Sequence, residues 1–230
     1  MEIRTPSQIK QIQQDLPYLV ETMEWVESFV AKPHPIVGRL GPVCPFVPHA
    51  IKSNSMRLGI LRIKDLDIEQ IADVVLHYRD IFQELEPQTG PDTLRKTLLL
   101  IVPDIDIEDA LTIIDGVQKK VKPLFVESGM MIGEFHMRTE SLGLHNPNFR
   151  PLRSPIPMFV LRNMVEVDIA FLQDENLHLR IKYLEAYLKH MEGTYSHRFE
   201  QKIKDQTRLT TARELVRLAR DQLHLEADLV

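Results

Sequence analysis

The chain is poor in cysteine and tryptophan and has no long apolar run. It holds one cysteine, Cys44, among 230 residues. A single thiol cannot form an internal disulfide, and no cysteine-rich zinc site can be built from it. Aliphatic stretches such as Leu98 to Val102 fall far short of the roughly 20 residues that span a bilayer. The opening residues MEIRTPSQIK lack the apolar segment of a secretory signal, so a cytoplasmic protein without membrane attachment is expected. Also missing are HExxH, HxH and 2-His-1-carboxylate spacings, a glycine-rich phosphate loop and a GxSxG elbow. The zinc proteases, P-loop nucleotide enzymes and α/β-hydrolases that carry these motifs are thereby excluded.

Hydrophobic residues at 43% and charged residues at 27% are those of an ordinary globular protein. The length suits one sizeable domain or a domain with a helical appendage. Twenty-eight basic residues against 33 acidic ones give a net charge of −5, which excludes a general nucleic-acid binder. The charge is uneven: His178 to His224 carries ten Lys/Arg against six Asp/Glu. That basic stretch is either a solvated helical face or a surface for a partner or anionic ligand.

Periodicity places the elements. Ile9, Ile12, Leu16, Leu19, Met23, Val26 and Val30 predict a helix over 7–32, with a kink expected at Pro17. Strands are predicted at 57–63, 97–102, 124–126, 130–135 and 158–164. Helices are predicted at 68–85 and from Asp104 or Asp106 to Val121. From Glu166 onward the pattern is helical, with breaks at Gly193 and Thr210 and a last stripe through Leu215, Leu218 and Leu223. The expected fold is α+β (or α/β): a mixed sheet of about four to five strands with flanking helices. Residues 1–175 would form the α+β domain. Residues 176–230 would form a C-terminal helical segment packed on it or on a partner subunit, so a homodimer is one expectation.

Nine of the fifteen prolines fall in 33–48 and 147–157. Long loops in a compact domain are commonly functional. These carry Phe46, Val47, Leu144, Phe149 and Leu152, too apolar for disordered linkers. They read either as ordered pocket walls or as packed crossovers. The second, taken with its approach from Gly133 to Pro155, collects His136, Arg138, His145, Arg150 and Arg153. Clustered guanidinium groups suit a carboxylate-bearing ligand; the alternative is ion pairing with Glu134, Glu140 or Glu166. His136 follows a strand end, where a histidine can ligate a metal, act as acid or base, or simply pack. Cys44 lies between prolines in GPVCPFVP. It can be an inert thiol, a nucleophile with His49 or His136 as base, or a thiolate ligand.

The segments GPVCPF (Gly41–Phe46), GEFH (Gly133–His136) and NPNFRPLRSPIP (Asn146–Pro157) resemble those of a bacterial family known as a domain of unknown function. A more distant similarity links Cys44-Pro45-Phe46 and Arg153-Ser154 to the YqcI/YcgG-type haem proteins. That family includes haem-dependent enzymes that N-hydroxylate an amino acid or related amine. The sequence departs from it at Val47 and Leu152 and in having only Trp25. The resemblance implies a haem oxygenase with a small-molecule substrate bearing a carboxylate or amine. His136 would be the first choice of axial ligand and Cys44 the second. Arg138, Arg150, Arg153 and Arg162 would serve the propionates or substrate, and Phe46, His145, Arg153 and Ser154 would face the substrate. Two other readings stand beside it: a Cys44-dependent acyl or thioester transfer enzyme, and a non-catalytic assembly module using the basic C-terminal helices.

Overall fold

The computed structural model describes residues 4–90, 92–192 and 199–227, without the side chains of 199–203 and 227. The expected break at Gly193 lies outside the described residues. The α+β expectation holds: a four-stranded mixed sheet has helices beside it. The chain forms two compact units, Met1–Lys120 with Ile132–Arg162, and Val121–Met131 with Asn163–Val230.

Local chemistry sets the element ends in the first unit. Helix α1 (Pro6–Trp25) starts on a capping box in which the Thr5 side chain accepts from the Gln8 N–H and Gln8 reaches back to Thr5. It runs through Pro17 and passes directly into one π-helical turn, Val26–Val30. The short helix α2 (Val47–Lys52) sits in a stretch whose proline content suggests only loop. Pro48 fits because it occupies the first turn, where its missing N–H has no partner to lose. Strand β1 (Met56–Ile60) leads through α3 (Ile68–Glu84), capped by Asp67 and Gln70, to strand β2 (Thr97–Ile101). Helix α4 (Ala110–Glu127) continues past Pro123 over 124–126, where a strand is expected from sequence. Ile114, Val117, Val121 and Phe125, all at most 1% exposed, keep one helical stripe to its end. Asp104 does not cap it; its carboxylate accepts from the N–H groups of Ile63 and Lys64 at 2.9 and 3.0 Å. Strands β3 (Met130–Phe135) and β4 (Met158–Asn163) complete the sheet in the order β1-β2-β4-β3.

β1 and β2 pair in parallel, β2 and β4 antiparallel. Side chains alternate between the faces of a strand, so the register defines two faces. Leu98, Leu100, Phe159 and Leu161 share one, and all are at most 5% exposed. Met56, Leu58, Leu99, Met158, Val160 and Arg162 share the other. There Leu99, Ile101 and Met158 are fully buried, and Trp25, Val47, Ile51, Met56, Leu58, Phe135 and Val160 are half-buried around Leu99, Met158 and Val26.

In the second unit a 3₁₀ segment, Glu166–Phe171, precedes helices α5 (Leu177–Met191) and α6 (Phe199–Ala227). Their core joins Val126, Met131, Met164 and Leu172 to Tyr183, Leu184, Tyr187, Leu209, Ala212 and Val216. The buried stripe of α6 is thus Leu209, Ala212, Val216 and Ala219. It is used within the chain, against α5. Leu218, from the expected leucine stripe, is 49% exposed. α6 also runs unbroken through Thr210.

Candidate functional site

The half-covered sheet face is where the two proline-rich loops meet. Cys44 donates its N–H to the Val30 carbonyl at 3.0 Å, and Val43 donates to Lys32 at 2.8 Å. These bonds tie the first loop to the π-turn. The second loop docks on the first: Asn146 Nδ2 donates to the Ile36 carbonyl at 2.7 Å. Gly38 permits this approach. Its φ is +82°, and a Cβ there would stand 2.6 Å from the His145 carbonyl oxygen.

A ladder of rings runs from the sheet into both loops. Phe135 meets Trp25 edge-on at 6.1 Å, and Trp25 stacks on Phe29 at 6.1 Å. Phe29 contacts the His34 ring at 5.6 Å and Phe149 at 6.1 Å. His34 stacks on Phe149 at 5.0 Å with 21° between planes. The π-turn inserts one extra residue per turn where Trp25 gives way to Phe29, a distortion found frequently at functional sites. Leaving Trp25, Leu58, Phe135 and Val160 half-exposed forgoes part of the roughly 1.5–3 kcal/mol that full burial of each would supply.

Cys44 lies on the segment joining the π-turn to α2, both of which cover this face. Cys44 is a half-buried residue and its thiol forms no disulfide. Neither candidate base is hydrogen-bonded to it. The exposed His49 ring bonds Asp92 at 2.7 Å. His136 Nε2 bonds the Asp115 carboxylate of α4, also at 2.7 Å.

His136 is wholly buried, and its Nδ1 has no hydrogen-bond partner. It follows Phe135, whose ring packs on the open face, and turns to α4 instead. His136 is thus turned away from the aromatic layer toward α4, while Cys44 is held by its backbone N–H to Val30 of the π-turn.

The other candidates divide. Arg150 and Arg153 both pair with Glu140, at 3.3 and 2.9 Å, and cap loop carbonyls of Pro147 and Thr139. This is internal ion pairing, the alternative to a bound carboxylate. Ser154 is buried, its hydroxyl donating to the Ile156 carbonyl at 2.7 Å. His145 and Arg138 are exposed. Phe46 is half-buried and caps α2. Arg162 lies on the half-covered face, in register with Thr97.

Trp25, Phe29, His34 and Asp115 are site residues that motifs and spacing do not single out. Trp25 and Phe29 stand four apart in the first helix, a spacing that signals one face. The link from His34 to Phe149 carries no sequence signal.

In the basic C-terminal stretch several described arginines are paired within the chain. Arg208 pairs with Asp205, Arg213 with Glu192, Arg217 with Glu214 and Asp221, and Arg220 with Glu185. Among the described residues no group of three or more His, Cys, Asp or Glu could hold a metal ion. None of their helices is long and apolar enough to cross a membrane.

Fold and site together define an α+β protein whose sheet is sealed on one face and half-open on the other, under two interlocked loops. The chain belongs to the family described as a domain of unknown function (DUF6875), whose model matches residues 19–209. No curated protein and no solved structure matches it.

Proposed function

We propose that the protein binds haem against the half-covered sheet face and uses it for oxygenase chemistry of the N-hydroxylating type on an amino acid or related amine. The observation that carries the binding half is the aromatic and aliphatic layer of Trp25, Leu58, Phe135 and Val160, left half-buried on the sheet. The reaction and substrate half rests on the resemblance of Cys44-Pro45-Phe46 and Arg153-Ser154 to the haem N-oxygenases.

The residues present fit this group in part. Cys44 offers a sulfur with no competing bond, which ranks it above His136 as axial ligand. His136 has one ring nitrogen held by Asp115 and the other sealed from solvent. Arg162 lies on the half-covered face, and Arg150 and Arg153 pair with Glu140. Bound haem would supply the oxygen activation. The protein would supply an apolar wall, a ligand and a stiff enclosure.

The test is the absorption spectrum of protein purified from haem-supplemented cells. A Soret band is expected, shifting on reduction with carbon monoxide toward the position of a thiolate-ligated haem. Cys44→Ala should abolish that shift while leaving the fold intact, and His136→Ala should not abolish it. A featureless spectrum unchanged by haem titration would overturn the proposal.

A further inference from the structure

We propose that the exposed stripe of α1 packs against the same stripe of a second copy of this chain, antiparallel about Leu16, as the seam of a homodimer. The haem reading plays no part in this.

The first half of α1 has no packed face. Every residue from Pro6 to Gln14 is exposed, and burial begins only at Asp15 and Tyr18. Isolated helices shorter than about 12–15 residues are marginal in water. This one nonetheless carries apolar residues at helical spacing: Ile9 is 55% exposed, Ile12 41%, Leu16 52% and Val20 46%. At 100° per residue all four lie within one stripe. Gln13, Pro17, Glu21 and Glu24 flank it and, with Leu16 and Val20, line an open groove. The opposite side of α1 is the one used within the chain: Asp15 pairs with Arg62 at 2.5 Å, the Arg62 guanidinium lies over the Tyr18 ring, and Thr22 is buried.

Charge selects the occupant and its direction. Lys10 is the only cation between Thr5 and Ala31, against Asp15, Glu21, Glu24 and Glu27. Lys10, Glu21 and Glu24 fall on the same flank of the stripe by helical spacing. In an antiparallel helix pair each flank meets the same flank of its partner. Crossing at Leu16 then sets Lys10 of one copy beside Glu21 and Glu24 of the other, twice by symmetry. The acidic balance of the helix opposes docking on an anionic membrane. The family match begins at residue 19, so Ile9, Ile12 and Leu16 precede the region shared with the family.

Light scattering on the eluting protein should give about twice the chain mass of 26.7 kDa. Ile12→Glu with Leu16→Glu should return the mass to that of one chain, with the thermal transition retained because both side chains are exposed. Lys10→Glu should weaken the dimer at least tenfold. Adding Glu21→Lys and Glu24→Lys to it should restore the dimer, because the swapped charges again face each other. A monomeric wild type would overturn the proposal, as would a dimer indifferent to Ile12→Glu with Leu16→Glu. A dimer that the charge swap fails to restore would overturn the antiparallel register.

Discussion

At the scale of single residues, the His136–Asp115 pair is the sharpest feature. A wholly buried imidazole has one nitrogen bonded at 2.7 Å and the other unpartnered. Asp115→Ala would leave both nitrogens without a partner. An unsatisfied buried polar group costs about 1–3 kcal/mol, and the loss of stability should be of that order. Asp115→Asn keeps an acceptor oxygen and should lose less. His136→Leu in the Asp115→Ala background should recover part of the loss, since removing both partners is far cheaper than orphaning one. Urea midpoints of the four proteins measure this directly, and an Asp115→Ala midpoint equal to wild type would show that the bond contributes nothing. The sequence draws attention to His136 because it follows a strand. It cannot reveal that the strand's last ring, Phe135, takes the open face and sends the next side chain to α4. Cys44 is legible for a different reason: prolines on both sides fix its surroundings locally, so its exposure follows from its own segment.

At the scale of elements, long periodic segments are legible and the exceptions have local causes. Strand β3 and the start of α3 fall where they are expected: β3 opens on a continuous buried run, Met130 to Ile132, and α3 keeps a helical stripe through Ile71, Val75 and Phe82. The end of α4 departs from expectation because Leu124-Phe125-Val126 is a short apolar run, which periodicity alone cannot assign. α2 escapes a proline-based reading because its proline sits at the one place a helix accepts it.

The helix α6 shows how small residues hide a contact. Leucines at 215, 218 and 223 suggest a seam, yet the chain buries Ala212 and Ala219 beside Leu209 and Val216. Alanine lets α6 approach α5 closely. Ala212→Leu should therefore cost about 1–3 kcal/mol by overpacking, whereas Leu218→Ala, at a half-exposed position, should stay within about 0.5 kcal/mol. Thermal melts of the two variants would rank them, and the reverse order would contradict the α5–α6 packing.

At the scale of the whole molecule, charge and burial are distributed so that alkali acts on the second unit. Tyr183 and Tyr187 are its largest buried side chains, at most 2% exposed. Burial pushes both phenols up to about 12; Asp174 adds to this at Tyr183. At Tyr187, Arg208 opposes the rise while Glu166, Asp168 and Asp205 reinforce it. The Tyr187 hydroxyl also donates to the Glu166 carbonyl at 2.7 Å. In the first unit Tyr18 and Tyr78 are only half-buried.

The sign of the effect follows from linkage. Between pH 10 and about 12 an unfolded chain releases these protons and the folded chain keeps them. The stabilisation is therefore whole below pH 10 and is lost as pH rises through the folded values. A tenfold change in an ionisation constant corresponds to about 1.4 kcal/mol, so each tyrosine contributes on the order of 2–3 kcal/mol to the loss. Phenolate absorbance from these two rings should appear together with the fall in helical circular dichroism and not ahead of it. Tyr183→Phe should roughly halve the pH dependence, because the ring keeps its packing and loses only the titrating hydroxyl. If all tyrosines ionise near pH 10 with the helical signal intact, the second unit does not exclude water from these rings, and its core is not the one described.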